Sequence, residues 1–307
     1  MDITQFMVWN IDPELLSLGP ITIRYYGVLF AAGLMLGYAL WRWQMLRGNH
    51  NEEVTERWLV WAVVCVLVGS RLGHCLFYEP EIYLKDPIRI LFIWRGGLAS
   101  HGATIGLVIG LYLYARRYKF SFLEIVDRFV MSATMGALFV RLGNFMNSEI
   151  VGREWWGSLA VRFPRYTTIN QSIMESRLGH KLGYAVQALP RHPSQLYEAL
   201  GALLIFLAIL GIDRIYGEKR PRGLFAGIFF AGYFTFRFLI EYVKEFQSLA
   251  GMKVEEQFIR ILPTSGLTMG QWLSIPFALL GFGLIIYAYK SKLPACVPSP
   301  HDKPNKK

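Results

Sequence analysis

The chain of 307 residues is 53% hydrophobic and 18% charged, with a formal net charge of +10. Soluble domains carry about 25% charged residues, so this composition is typical of a membrane protein and excludes a disordered or collagen-like chain. In a chain this apolar, excess lysine and arginine indicates loops that face anionic lipid, and we expect no nucleic-acid partner. Cys65, Cys75 and Cys296 form neither a disulfide framework nor a paired-cysteine metal motif, and we expect no metal.

Seven apolar stretches approach the ~20 residues that a helix needs to cross a bilayer. A spanning segment must satisfy its own backbone hydrogen bonds where water is absent, so each stretch is predicted to be an α-helix. The predicted fold is therefore an all-α, polytopic membrane protein with seven transmembrane helices. The stretches cover about residues 25–43, 58–78, 97–115, 124–146, 195–213, 223–243 and 270–289.

The distribution of basic residues predicts how these helices are oriented. Sixteen lysines and arginines lie in the loops after helices 1, 3 and 5 and in the C-terminal tail, against seven in the opposite short segments. Cytoplasmic loops carry the excess of basic residues, so we expect the N-terminus outside and the C-terminus in the cytoplasm. Residues 147–194 then form a small external cap between helices 4 and 5, within a transmembrane domain of residues 1–293. Residues 294–307, rich in proline and lysine, are predicted to be a disordered cytoplasmic tail.

Ionisable side chains inside the predicted spans are the most informative feature for function. Each costs about 2.5–3.5 kcal/mol at a helix centre on insertion scales, so such residues are rare without a role. In the predicted topology all of them approach the outer edge of the membrane, whereas a transporter usually places them near the midplane. We therefore expect a site open to the headgroups of the outer leaflet. The residues are Arg71, His74, His101, Arg141, Glu198, Arg237 and Glu241.

Arg141 and Asn144 project from one face of the fourth predicted helix, three residues apart. A guanidinium fork beside an amide suits a phosphodiester, and Glu149 and Gly152 follow where the helix is expected to leave the membrane. In the alternative interpretation, Arg141 extends along its aliphatic stem to the interface and Asn144 only caps the helix end.

Two further segments carry candidate residues. In the sixth predicted helix, Arg237 and Glu241 lie four residues apart, and they either contribute to a site or form an ion pair that binds no ligand. His101 follows a glycine-rich turn, which suits close approach of the backbone to a ligand. A histidine there can accept a proton near neutral pH, although a histidine alone is more often structural. His192, before Pro193 and Ser194, is expected to belong to a helix start.

The ordered motifs of the chain resemble those of the bacterial prolipoprotein diacylglyceryl transferase family, from about residue 15 to residue 290. Three positions depart from the family pattern, which often has glycine where Ala103 and Ser148 stand and arginine where Lys244 stands. The motifs are Arg24-Tyr-Tyr26-Gly27, Gly96-Gly-Leu-Ala-Ser-His101-Gly102, Arg141-Leu-Gly-Asn144-Phe-Met-Asn147-Ser-Glu149 with Gly152, Arg191-His-Pro-Ser-Gln-Leu-Tyr-Glu198, Arg237-Phe-Leu-Ile-Glu241 and Met269-Gly-Gln-Trp-Leu-Ser-Ile-Pro276.

The resemblance implies a transferase of the bacterial inner membrane that needs no cofactor. The diacylglyceryl group of phosphatidylglycerol would pass to the thiol of a lipobox cysteine in a prolipoprotein signal peptide, forming a thioether and releasing glycerol 1-phosphate. The partners are then phosphatidylglycerol, lipobox signal peptides and membrane lipids. The resemblance makes His101 the candidate base and Arg141 and Arg237 the phosphate-associated arginines. It also implies functional roles at Tyr26, Asn144, Glu149, Gly152 and Glu241. Of these five residues, Tyr26 is grouped with the catalytic residues.

This chemistry fits the residues. A thiol must become a thiolate before it attacks carbon, and a leaving phosphate gains charge that two arginines in a dry site can stabilise. His101 or an arrangement of Tyr26 and Glu149 can receive the thiol proton, and both remain open. Two other functions also remain open. One is a transporter or lipid scramblase lined by the intramembrane charges, and the other is a protein that docks signal peptides without catalysis.

Overall fold

The structure is a computed structural model that describes residues 5–178, 187–245 and 267–302. Helices predominate in this part of the chain, and each of the seven apolar stretches coincides with one long helix to within a few residues. The prediction of a helix at each stretch is therefore confirmed. Short 3₁₀ helices among the described residues cover Pro87–Leu91, Ile93–Arg95 and Gly217–Lys219. The α-helices are α1 (Tyr25–Arg47), α2 (Glu52–Phe77), α3 (Pro80–Lys85), α4 (Ser100–Tyr118), α5 (Phe122–Met146), α6 (Pro164–Leu178), α7 (Ser194–Tyr216), α8 (Leu224–Ile240) and α9 (Met269–Ser291).

Several helices have the length and composition of membrane spans. Among the described residues, Glu52–Phe77, Ser194–Lys219 and Met269–Ser291 are long and apolar enough to cross a bilayer, and Leu224–Ile240 is a shorter apolar helix. Their surfaces carry large exposed hydrophobic side chains such as Val60 and Leu279. Exposed apolar surface of this extent is expected on helices that face lipid. The predicted total of seven spans and their orientation stay predictions.

The prediction of an all-α chain is incomplete, because two small sheets are present. In one, β2 (Glu14–Leu18) pairs antiparallel with β3 (Ile21–Arg24) through a turn at Gly19, whose φ is +61°. In the other, β4 (Val161–Arg162) pairs parallel with β1 (Met7–Val8) and antiparallel with β5 (Pro190–Arg191). Strands of two residues are too short for an alternating pattern to reveal them.

The segment predicted to be a cap contains β4, α6 and β5, while residues 179–186 lie outside the described residues. Val151 and Phe163 of this segment form a buried cluster with Phe145 at the end of α5. The indole N–H of Trp9 donates a hydrogen bond to the Phe145 carbonyl at 2.9 Å, so the N-terminal segment is part of this cluster. The external location of the segment stays a prediction.

The chain divides into two compact units. The first unit comprises Met1–Gly37, Met131–Ile212 and Gly227–Ile286, and it contains both small sheets and the segment predicted to be a cap. The second comprises Tyr38–Val130, Asp213–Ala226 and Tyr287–Lys307. An aromatic cluster that includes Trp41, Trp58 and Tyr114 forms the core of the second unit.

Within the second unit, glycines allow α2 and α4 to pack with their backbones in contact. A Cβ atom on Gly69 of α2 would lie 2.5 Å from the carbonyl oxygen of Gly102 in α4, and one on Gly73 would lie 2.6 Å from the Gly102 Cα. Small residues permit this close approach between helices that cross a membrane. Asn51 caps the start of α2, where its side chain accepts hydrogen bonds from the N–H groups of Glu53 and Val54.

Arg71, one of the predicted intramembrane charges, is buried and holds the chain that precedes α4. Its guanidinium donates to the carbonyls of Arg89 and Ile90 at 2.6 and 2.8 Å, and to that of Gly96 at 2.6 Å. Gly96 and Gly97 both have positive φ, and α4 begins three residues later at Ser100. Arg71 therefore shapes the turn that leads into the helix carrying His101.

The segment predicted to be a disordered tail makes specific contacts over residues 294–302. The Ser299 hydroxyl donates to the Tyr118 carbonyl at 2.7 Å, and the Val297 N–H donates to the Glu124 carboxylate at 3.0 Å. Composition could not reveal these contacts, and the disorder of the tail stays a prediction. Residues 303–307 lie outside the described residues.

Candidate functional site

A small cavity in the first unit brings together charged side chains from three helices. Arg141 of α5, Glu198 of α7 and Arg237 of α8 open into it, among mainly apolar residues. Arg141 and Arg237, predicted separately from two motifs, therefore share one chamber. The full lining is Ala137, Arg141, Glu198, Gly201, Ala202, Ile205, Tyr233, Phe236 and Arg237.

Glu198 connects two cations. One carboxylate oxygen lies 2.8 Å from the Arg141 guanidinium, and the other lies 3.4 Å from the Lys244 ammonium. The glutamate is only 7% exposed, so both interactions are shielded from water. Burial lowers the pKa of Lys244, and the nearby charges of Arg237 and Arg141 lower it further, while Glu198 acts in the opposite direction.

Arg237 and Glu241 form the ion pair that their four-residue spacing predicts, yet Arg237 also lines the cavity. Glu241 accepts a second hydrogen bond from the Thr268 hydroxyl at 3.0 Å. At the start of α9, a Cβ on Gly270 would lie 2.7 Å from a Glu241 carboxylate oxygen. A larger residue at position 270 would therefore require the side chains of this ion pair to shift.

A chain of amide and carboxylate groups extends from Arg141 along the end of α5. The Asn144 side-chain oxygen lies 3.5 Å from the Arg141 guanidinium, and its amide nitrogen lies 3.4 Å from Glu149. Asn147 donates to the other oxygen of Glu149 at 3.0 Å. The Tyr26 ring packs on the same helix, because a Cβ on Gly143 would lie 2.7 Å from it. Asn144 and Glu149 are thus in contact, and Tyr26 packs beside Gly143 on the same helix.

Gly152 lies where two neighbouring segments meet. Its N–H donates to the His192 carbonyl at 2.9 Å, and it forms a bridge with Lys244. A Cβ at this position would lie 2.5 Å from the His192 Cβ and 2.7 Å from the Val243 carbonyl oxygen. Gly152 therefore acts through the backbone, by allowing the segment that carries Lys244 to approach. The His192 ring stacks on Trp155 at 4.2 Å, and burial lowers its pKa.

His101 is the one predicted site residue that belongs to the second unit. It is the second residue of α4 and is exposed. The start of α4 is held by a hydrogen bond from the Ala99 N–H to the Ser70 carbonyl at 2.9 Å. The remaining predicted residues lie in the first unit, namely Tyr26, Arg141, Asn144, Glu149, Gly152, Arg237 and Glu241.

Sequence analysis counted Glu198 among the intramembrane charges without giving it a specific role, and it named Lys244 only as a departure from the family pattern. Glu198 pairs with both Arg141 and Lys244, which assigns all three residues to the same charged group. A signal for Glu198 was present, since it is a carboxylate near the start of an apolar helix. Its partners lie 57 residues before and 46 residues after it in the sequence, so the pairing itself was not predictable.

Comparisons with known proteins agree with the order of the motifs. The model of the family described as prolipoprotein diacylglyceryl transferase matches residues 13–287. Three similar proteins are each named phosphatidylglycerol–prolipoprotein diacylglyceryl transferase. The protein of Tolumonas auensis is 39% identical over 289 residues, covering 93% of this chain and 99% of its own. The protein of Bacteroides fragilis is 36% identical over 296 residues (92% and 96%), and that of Nitrosomonas europaea is 37% identical over 287 residues (91% and 90%).

Proposed function

The chain belongs to the prolipoprotein diacylglyceryl transferase family, and we propose how its charged cavity transfers a diacylglyceryl group from phosphatidylglycerol to a prolipoprotein. The observation that carries the proposal is that Arg141 and Arg237 line one cavity, each paired with a carboxylate. Two arginines that converge from different helices match the several oxygens of a phosphodiester.

The charges of the ion-paired group suit a phospholipid headgroup. Arg141, Arg237 and Lys244 contribute three positive charges, and Glu198 and Glu241 contribute two negative ones. When all five are ionised the group carries one net positive charge, which a phosphodiester with one negative charge neutralises. The phosphate then replaces carboxylate contacts, and the arginines need little rearrangement to receive it.

The transfer breaks the bond between the glyceryl carbon and the phosphate oxygen. The thiolate sulfur of the lipobox cysteine attacks that carbon, a C–S bond forms, and the C–O electron pair leaves with glycerol 1-phosphate. The departing phosphate gains negative charge, which Arg141 and Arg237 stabilise in a cavity sheltered from water. The nucleophile arrives on the prolipoprotein, so the three cysteines of this chain take no part.

His101 is the proposed acceptor of the thiol proton. A neutral imidazole nitrogen accepts a proton, which is the task of a general base. A second candidate is Glu149 acting with Tyr26. It is favoured because Asn144 connects Glu149 to Arg141 and because the Tyr26 ring packs on Gly143 of the same helix. The two candidates are distinguished by the experiment on selenocysteine peptides described in the Discussion.

The chain is a polytopic membrane enzyme, and we place its site in the outer leaflet of the bacterial inner membrane. This assignment is supported by the apolar helices and by the excess of basic residues in alternate loops. In this arrangement seven helices span the membrane, the N-terminus is outside and the C-terminus is cytoplasmic. Residues 147–194 form the external cap, beneath which the lipobox segment docks.

The proposal is tested by the transfer of labelled lipid. Purified protein is incubated with phosphatidylglycerol and a lipobox peptide, and the peptide mass and the released glycerol phosphate are measured together. Arg141→Ala should lower the rate by ~10²–10³, as the loss of one fixed donor does in oxyanion holes. Arg165→Ala is the matched control, because Arg165 pairs with Asp12 and does not line the cavity. Full activity of Arg141→Ala would contradict the proposal. Lipid movement with an unchanged peptide mass would instead favour a scramblase.

A further inference from the structure

Three metal-binding side chains converge in the second unit, none of them part of the charged cavity. His50 follows α1, Glu124 lies in the first turn of α5, and Cys296 follows α9. Their donor atoms all lie within 4.8 Å of one another. The side chains of His50 and Glu124 are 0% and 1% exposed. We propose that His50, Glu124 and Cys296 bind a divalent cation of the zinc class.

The donor types select the class of metal. Imidazole nitrogen, thiolate sulfur and carboxylate oxygen are the ligands that zinc takes from proteins, whereas magnesium and calcium prefer oxygen alone. A fourth position remains for water. The three ligands come from positions 50, 124 and 296, so a site of this kind brings together parts of the chain that are distant in sequence.

The separation of the nitrogen and sulfur atoms matches that of a tetrahedral site. Bonds of about 2.05 Å to nitrogen and 2.3 Å to sulfur set those two ligand atoms about 3.6 Å apart. The His50 Nε2 and Cys296 Sγ atoms are 3.7 Å apart. The His50 Nε2 and Glu124 Oε1 atoms are 2.8 Å apart, and this contact must open by roughly half an ångström to admit the metal.

Neighbouring groups already orient two of the three ligands. The Asp302 carboxylate lies 3.2 Å from His50 Nδ1, which leaves Nε2 directed at Glu124 and Cys296. A carboxylate on the second ring nitrogen is the usual support of a histidine that binds zinc. Glu124 accepts a hydrogen bond from the Val297 N–H on one oxygen and from Arg128 on the other. Ligating carboxylates are commonly held in this way.

Two arguments against a cation at this position are the charge of Arg128 and the ion pairs that form without a metal. Arg128 brings a positive charge, but it also pairs with Glu218 at 2.9 Å, so its charge is compensated. Without a metal, the same geometry holds an imidazolium between Glu124 and Asp302. In that arrangement the Cys296 thiol donates to the Gly48 carbonyl at 3.1 Å. The metal is favoured because the 3.7 Å between Cys296 Sγ and His50 Nε2 matches the separation of two atoms bound to one zinc ion.

A metal at this position fastens the C-terminal segment. Cys296 lies in the segment 294–302, while His50 and Glu124 belong to the turn after α1 and to the start of α5. Metal binding to side chains that converge only in the folded state stabilises that state. The inference is independent of the proposed transfer mechanism, because none of its residues lines the charged cavity.

Cobalt titration tests the proposal. Full-length protein without a polyhistidine tag is freed of metal with a chelator in detergent and titrated with Co²⁺. We expect one equivalent to bind with a sulfur-to-cobalt charge-transfer absorption, Zn²⁺ to displace it, and Zn²⁺ to raise the melting temperature. Cys296→Ser should abolish the absorption. Cys65→Ser is the matched control and should retain it, since Cys65 lies within α2.

A second variant distinguishes loss of the metal site from misfolding of Cys296→Ser. Asp302→Asn leaves all three ligands in place, so it should keep the absorption while binding cobalt 10–100-fold more weakly, as expected for loss of a group that orients a ligand. The proposal is overturned if the wild-type protein shows no charge-transfer absorption. It is also overturned if Cys296→Ser shows the same absorption as the wild type, because the thiolate then comes from another cysteine.

Discussion

Glu198 lies 2.8 Å from Arg141 and occupies the guanidinium that the proposed mechanism assigns to the lipid phosphate. The same carboxylate also contacts Lys244, so one buried anion compensates two cations. Removing one partner from a buried pair leaves charge without compensation, which destabilises a protein by about 3–5 kcal/mol. Glu198 is therefore expected to hold the cavity together before lipid binds and to be replaced by phosphate when it does.

Glu198→Gln should separate these two roles. In lipid-depleted protein the variant is expected to melt at a lower temperature than the wild type, because Arg141 and Lys244 lose their anion. Phosphatidylglycerol should then raise its melting temperature by more than it raises that of the wild type, since the phosphate supplies the missing charge. Glu245→Gln is the matched control, because Glu245 pairs with Arg191, which does not line the cavity. A smaller lipid-induced shift in Glu198→Gln than in the wild type would mean that the carboxylate helps to hold the headgroup.

Lys244 should make the reaction sensitive to pH. Burial lowers its pKa, so its positive charge is present below that lowered value and is lost as the pH rises through it. Its attraction for phosphate is lost over the same range. An arginine remains charged throughout, so the activity of Lys244→Arg relative to the wild type should increase with rising pH. The ratio of the two activities cancels the ionisation of the substrate thiol. A ratio that does not change with pH would show that the charge of Lys244 has no part in binding.

Gly152→Ala should disturb the site through the backbone. The added Cβ would lie 2.5 Å from the His192 Cβ and 2.7 Å from two carbonyl oxygens, so the segment that carries Lys244 must move. Overpacking of this kind costs about 1–3 kcal/mol, and we expect a lower melting temperature together with at least a tenfold loss of transfer activity. Gly136→Ala is the control, because no atom lies within 4 Å of a Cβ at that position of α5. Wild-type activity in Gly152→Ala would show that the segment yields without affecting the cavity.

A selenocysteine peptide should identify the proton acceptor. A selenol is ionised near neutral pH, so a lipobox peptide containing selenocysteine needs no base. If His101 is the base, His101→Gln should lose transfer to the thiol peptide and regain it with the selenol peptide. Arg141→Ala should be inactive with both, because it lacks a phosphate contact. If the selenol peptide instead restores the activity of Glu149→Gln or Tyr26→Phe and does not restore that of His101→Gln, the proton acceptor is Glu149 acting with Tyr26.

The helices were predictable because the bilayer imposes a local rule. A segment such as Met269–Ser291 must be apolar over its whole length and must satisfy its own hydrogen bonds, and both requirements are visible in consecutive residues. The strands Met7–Val8 and Val161–Arg162 follow no such rule. They pair across more than 150 residues of sequence, and two residues carry no periodic pattern.

The sequence by itself determined the kinds of charged groups that the membrane-spanning helices carry, because an arginine or glutamate in an apolar stretch is costly and visible. Only the tertiary structure decided which of these side chains contact one another. Arg141 and Arg237 share a cavity, Glu198 joins Arg141 to Lys244, and His50 meets a cysteine near the opposite end of the chain. Pairing of this kind depends on distances between helices that are remote in sequence, and those distances follow from packing, which no single segment encodes.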